Sequence, residues 1–269
     1  MDDMVVISPA GKALAVGGWF ALLLLAERLW PAAVVPGPAR LPGPGWRRLA
    51  RNGGLWLCNV GLSLAIVLPL TQLAASAWPA LGGWRPDWWS GTAGLLLDLL
   101  LLDFLIYWWH RANHVVPLLW RFHEVHHRDE FLDASSAVRF HFGEVALSAL
   151  ARAAIMVPLG LSLESILVFE TLVLIAAIFH HSNLRLPRRL ERALSWLVVT
   201  PSIHWVHHHA VRADTDSNYA TILSLWDRLF ASRSATARTP DMRIGVQGLG
   251  ELDLPHLLAL PFRRRGDGG

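Results

Sequence analysis

Residues 89–114 read WSGTAGLLLDLLLLDFLIYWWHRANH, an apolar run that closes on Tyr107, Trp108 and Trp109 and then on His110 and His114. The run approaches the roughly 20 residues that a helix needs to cross a hydrocarbon core. Its two histidines, four residues apart, share one helix face where the chain leaves the membrane. Alone the pair carries little, since an i, i+4 pair also arises on ordinary polar surface. Its neighbours along the chain decide what it is.

The composition around it is that of a membrane protein: 53% of the 269 residues are hydrophobic and the mean hydropathy is +0.36, too apolar for an ordinary soluble domain. The single cysteine, Cys58, excludes a disulfide framework and any thiolate cluster, so metal ligands must be nitrogen or oxygen. Lys12 is the only lysine, and the net charge of +3 is too small and scattered for a nucleic-acid surface.

Two further apolar runs precede the first one quoted, at about 13–29 and 53–78, joined by a Pro/Gly-rich connector that reaches Gly45. Asp2 and Asp3 stand where a signal peptide has basic residues, so the first run is expected to be an uncleaved span. Downstream, 145–179 is apolar but broken at Pro158, Leu159 and Gly160, which predicts a short helical hairpin, either just crossing or re-entrant. Arginines mark one side: Arg47, Arg48 and Arg51; Arg111, Arg121, Arg128 and Arg139; and Arg185, Arg188, Arg189 and Arg192. The positive-inside rule makes that side cytoplasmic and puts the 78–89 connector, with Trp84 and Trp88, in the opposite aromatic belt. The expected fold class is all-α: a polytopic membrane helical bundle of three spans plus a hairpin, with a cytoplasmic histidine-rich helical cap holding a di-metal site.

Nine residues beyond His114 the chain carries HEVHH (123–127), and HWVHH (204–208) repeats the pattern. Positions i, i+3 and i+4 share a helix face, so each copy is expected to aim three imidazoles at one point. RFH at 139–141 and Glu144 precede the hairpin, HHSN at 180–183 follows it, and Pro201 marks a helix start before the second copy. Twelve of the 13 histidines lie between His110 and His209. One interfacial histidine is usually a hydrated polar side chain, but this many at one membrane face would need many independent coincidences. His110, His114, His123, His126, His127, His204, His207 and His208 are candidate ligands, with His141 and His181 as further ones; they are too many for one ion and fit two. Tetrahedral zinc is saturated by four ligands, whereas six-coordinate iron keeps open positions for dioxygen; nitrogen donors alone leave both metals open.

The first copy also matches the zinc-protease pattern HExxH, with His123 and His127 as ligands and Glu124 as base. Against a membrane zinc metallohydrolase, the second copy has Trp205 where Glu124 stands, and both copies share a third histidine that such an enzyme does not use. A non-enzymatic histidine-rich metal-binding or transport protein would spread its histidines and acids along the spans. Acids are expected to orient the imidazoles. Asp103 shares a face with Tyr107, His110 and His114, and an acid at membrane depth is costly without a partner, so it leads. Glu144, Asn183, Asp214, Asp216 and Asp227 follow, the last three explained equally well as loop or capping acids.

Together HRANH (110–114), HEVHH (123–127), RFH (139–141), HSN (181–183), TPSIHWVHH (200–208) and NYATILSLWDRLF (218–230) resemble the fatty acid hydroxylase and sterol desaturase superfamily, over about Asp98 to Ser232. Ala220 and Ala231 stand where that pattern more usually has glycine. The resemblance implies N-terminal spans over 1–92, a catalytic domain over 93–232 and a tail over 233–269. It implies a membrane di-iron oxygenase, with zinc an occupant of a purified form, that takes a fatty acyl, sterol or related lipid from the bilayer. O2 is then the co-substrate, and the C–H bond is hydroxylated or desaturated. Carried over by position, the ligands are the eight histidines above, with His141 and His181 where the family also has histidine; His180 and His209 are extra neighbours. Trp108, Trp109, Phe140 and Phe142 either line the lipid's entry or belong to an aromatic belt. The chain has no cysteine set for an iron–sulfur cluster and no dinucleotide fingerprint, so a separate electron donor of reductase, cytochrome or ferredoxin type is expected. A bacterial cytoplasmic membrane, rather than endoplasmic reticulum, is the expected location.

Overall fold

The computed structural model describes residues 9–34, 45–77 and 84–263. Asp2, Asp3, most of the connector before Gly45, and Trp78 lie outside them. Among the described residues the chain is helical, with no strand beyond isolated bridges.

Helix α1 (Pro9–Leu29) covers the first apolar run. Lys12 near one end and Glu27 with Arg28 at the other leave 14 uncharged residues between them, about 21 Å of helix, short of a hydrocarbon core of roughly 30 Å. Four other stretches, Gly45–Ala77, Gly91–Val115, Phe142–Leu159 and Leu163–His181, are long and apolar enough to cross a membrane. The first is a continuous rod of α2 (Gly45–Leu62), a π-helical turn (Ser63–Val67) and α3 (Leu68–Ala77). Pro69 has no N–H to offer the carbonyl of Ala65, and the helix widens immediately before it. The rod begins earlier than the apolar run at Gly53 because Arg48 and Asn52 are buried against a polar loop.

Helix α4 (Gly91–Val115) runs unbroken past Trp109, so His110 and His114 ride on a membrane helix. Pro117, whose missing N–H costs nothing in a first turn, opens α5 (Pro117–His127). Helices α6 (Phe142–Leu159) and α7 (Leu163–His181) form the hairpin, each long enough to span. Gly160 ends α6 at φ +61°, the left-handed conformation that glycine takes without strain. The Ser162 hydroxyl accepts the Ser165 N–H at the start of α7. Short helices follow: α8 (Arg188–Leu194), α9 (Pro201–His207), α10 (Arg212–Thr215), α11 (Leu225–Leu229) and α12 (Leu254–Ala259).

Helices α3, α4, α6 and α7 pack around Leu102, Met156, Leu161, Ile166 and Phe169. Beyond that layer the last turns of α4 meet Val199, Ile203, Tyr219 and Trp226 around Tyr107. Trp84 Nε1 donates to the Pro158 carbonyl at 2.6 Å and Arg85 Nε to that of Leu159 at 3.1 Å, placing residues 84–89 at the hairpin turn, the end of α4 remote from its histidines. The tail returns to the body: Leu257 packs with Leu55 and Val125, all fully buried.

One polar network locks the loop after α5 to α2. Arg48 donates to Asp129 at 2.7 Å, to Asp133 at 2.6 Å and to the Ser136 hydroxyl at 2.7 Å. Arg139 donates to Asn52 at 3.0 Å and to Glu251 at 2.7 Å. Burial alone would raise the Asp129 carboxyl; the Arg48 and Arg139 charges outweigh it and hold it at about 2. Arg48 and Arg139 are therefore structural cations that tie α2, the loop after α5 and the tail together.

Candidate metal centre

The last turns of α4, all of α5, the end of α7 and all of α9 converge at one end of the bundle. Their histidines form two groups, in each of which the nitrogens lie within 4.8 Å of one another: His110, His114, His123, His127 and His207; and His126, His181, His204 and His208. All nine are buried except His110, which is partly open.

Each pentad is split between the groups, so it does not aim three imidazoles at one point. His123 and His127 face the first group and His126 the second; His204 and His208 face the second and His207 the first. The reason is helical geometry. At about 100° per residue, i and i+4 diverge by roughly 40°, whereas i+3 and i+4 stand roughly 100° apart. Each helix thus gives a pair to one centre and a single ligand to the other.

Hydrogen bonds fix the tautomers. The Nδ1–H groups of His110, His126, His181 and His207 donate to the carbonyls of Tyr219 (2.7 Å), Arg139 (3.0 Å), Ala177 (2.8 Å) and Ser217 (2.6 Å). His123 Nδ1–H donates to Glu144 Oε1 at 2.8 Å, and His114 Nδ1 stands 3.4 Å from Asp216. A carbonyl can only accept, so the opposite Nε2 of each ring carries a lone pair. His126 Nε2 and His181 Nε2 nevertheless face one another at 3.1 Å. Two lone pairs at that distance repel unless a cation lies between them. His181 Nε2 to His204 Nε2 is 3.0 Å and His204 Nε2 to His208 Nε2 is 3.1 Å. Two nitrogens each about 2.1 Å from one ion and roughly at right angles are separated by about 3.0 Å.

A proton is a poor candidate for that cation. Burial pushes His126, His127, His204 and His208 well below the ordinary imidazole range and His207 down to about 3, disfavouring imidazolium. In the first group the Nε2 atoms of His114, His123, His127 and His207 are buried without a partner, a costly state unless a metal takes the lone pairs. The donor set therefore fits two metal ions, one per group.

Other expected residues lie elsewhere. His141 caps α6, its Nδ1 accepting the Gly143 N–H at 2.9 Å while its Nε2 bonds the Leu258 carbonyl at 3.1 Å; it joins neither group. Asp103 accepts from the Ile222 and Leu223 amides and from Trp226 Nε1 (2.8 Å), touching no histidine; it pins the segment that brings the Tyr219 carbonyl to His110. Asn183 joins Ala33 N and O to the end of α7. Asp227 accepts from the Tyr219 and Ala220 amides, and Asp214 pairs with His209 at 2.7 Å. Glu124 is held by Arg128 at 2.9 and 3.0 Å. Trp205 is core, under the Arg238 guanidinium at 3.8 Å.

Sequence reasoning missed the four carbonyl acceptors, which no side-chain pattern encodes. It also set aside His180, whose ring lies 3.9 Å from that of His204 with both nitrogens buried and unpartnered. The adjacent His181 was the only signal.

No solved structure matches the chain. Among known proteins it is similar to an ornithine lipid hydroxylase of Rhizobium tropici, 29% identical over 81% of this chain and 65% of that protein. It is similar to the alkylglycerol monooxygenase of Xenopus tropicalis, 31% identical over 54% of this chain and 30% of that protein. A very-long-chain aldehyde decarbonylase of Arabidopsis thaliana is 28% identical over 64% of this chain and 29% of its own length. The chain thus spans less than two thirds of each of these relatives. A family model described as fatty acid hydroxylase matches residues 95–232, just over half of the chain and the segment that builds both histidine groups. The chain belongs to the fatty acid hydroxylase family.

Proposed function

We propose that the protein is a membrane-bound di-iron oxygenase that hydroxylates or desaturates a C–H bond of a lipid, fatty acyl, sterol or related, using O2 and two electrons. The observation that carries this reading is the pair of adjacent, buried imidazole groups at the membrane-helix ends. Two iron ions so held would supply activation of dioxygen and oxidation of an alkyl carbon. His110, His114, His123, His127 and His207 are the ligands of one ion and His126, His181, His204 and His208 of the other. The five Nδ1–H donations to carbonyls and to Glu144 fix the tautomer and the aim of these rings, leaving Nε2 of each as the ligand atom. Burial excludes bulk water, and in this reading substrate approaches past His110, which is partly open.

Residues 93–232 form the catalytic part, 1–92 the N-terminal anchor and 233–269 the tail. The centre lies on the cytoplasmic side of a bacterial inner membrane, served by a separate reductase, cytochrome or ferredoxin-type donor. Similarity to a lipid hydroxylase over most of the chain supports the substrate class. The zinc hydrolase reading is disfavoured by Glu124, whose carboxylate is engaged by Arg128.

Lipid mass spectra of a host with a suitable reductase test the proposal. Wild type is expected to yield a species one oxygen heavier or two hydrogens lighter, His207→Ala none, and Glu124→Gln the wild-type product. Loss of activity in Glu124→Gln with no oxygenated lipid from wild type would favour the hydrolase instead.

A further inference from the structure

Helix register leads from the candidate metal centre into the bilayer-spanning layer. On α4, Ile106 and Leu102 lie about one and two turns from His110, toward the hairpin end of the helix. On α6, Ser148 and Arg152 lie one and two turns below Glu144, the carboxylate that holds His123. These two stripes are opposite walls of one pocket, completed by Trp109, Ile155 and Phe169. It is open on one side and, apart from Ser148 and Arg152, its lining is apolar.

Its deep end is charged. Arg152 pairs with Glu170 of α7 at 3.0 Å, and Lys12 of α1 reaches the other Glu170 oxygen at 3.5 Å. Charges inside a span are costly and persist only when paired. An aliphatic chain that pushed past this cluster would press hydrocarbon against its charges, so the cluster works as a stop. From His110 to Leu102 and from Glu144 to Arg152 is eight residues in each case, about 12 Å of helix.

We propose that this pocket is the slot for the aliphatic chain of the lipid substrate and that the Arg152–Glu170–Lys12 cluster sets its depth. Slot depth then determines which chain carbon stands beside His110. The inference rests on the lipid-oxygenase reading and deepens it. Trp109 is an entry residue in this arrangement, whereas Phe140 stacks on His126 at 4.4 Å and serves the centre itself.

The test uses the full-length, metal-loaded protein with acyl lipids of graded chain length. Ala151→Leu, on the wall just before Arg152, shortens the slot and is expected to shift the ratio of short-chain to long-chain products by about tenfold, the discrimination that one methylene can give. Arg152→Leu, with Lys12 left to neutralise Glu170, is expected to shift it toward longer chains and to move the oxidised carbon. Wild-type ratios and positions in both variants would overturn the proposal. Metal content and elution volume report folding; should Ala151→Leu fail to fold, Ala151→Val fills the same wall more gently. Lipid retained through purification, read by native mass spectrometry, is independent of turnover. Wild type should carry an aliphatic lipid that the filled variants lose, and equal retention would count against the slot. A wild type that binds such lipid but never oxidises one would overturn the oxygenase reading alone.

Discussion

Glu144 does for His123 what backbone carbonyls do for His110, His126, His181 and His207: it accepts a hydrogen bond from Nδ1–H, so that Nε2 keeps its lone pair free. It is the only side chain in that set, and so the one that mutation can remove. Glu144→Ala is expected to weaken metal affinity about 10- to 100-fold, with Glu144→Gln milder because an oxygen acceptor remains; competition with a chelator measures both. The neutral histidines also set a pH dependence. Their folded pKa values lie below 6.5, so the unfolded chain binds the extra protons. Stability of the metal-free protein is therefore complete above pH 6.5 and lost as pH falls, by about 1.4 kcal/mol per pH unit for each histidine once well below that value. Thermal unfolding from pH 8 to pH 5 checks this, and a flat profile would contradict it.

The end of α5 is held in place by a polar clamp as well as by packing. Arg48 joins α2 to Asp129 and Asp133 just beyond α5, with both acids buried. Arg48→Leu leaves two carboxylates without their cation and is expected to cost about 3–5 kcal/mol, read as a lowered unfolding temperature in detergent. The membrane helices and the histidine-bearing elements were legible in the sequence because apolar runs and i, i+3, i+4 spacing are written in side chains. What Arg48, Asp103 and Asn183 do was not legible, since composition says that a polar group needs a partner but not which one. Arg48 looked like surface charge and Asp103 like a histidine's companion; each instead ties distant backbone together. Ala231 was legible in part: it stands where glycine is more usual and takes φ +52°, the left-handed region. The division of each pentad was open to a stricter reading of helix angles, since i+3 and i+4 point apart.

At the scale of the whole molecule, four stretches capable of crossing a membrane carry a histidine-lined centre at one end and the hairpin turn at the other. The chain's apolar helices and its imidazoles thus belong to one body, in which His110 is the partly open member of the two histidine groups. The central claim is that two histidine groups hold two ions independently. Metal analysis of the purified protein, beside His207→Ala from the first group and His204→Ala from the second, tests it most directly. Two ions per chain are expected in the wild type, with each variant losing one and keeping the other. One ion per chain at saturation, or two ions in all three proteins, would contradict the account.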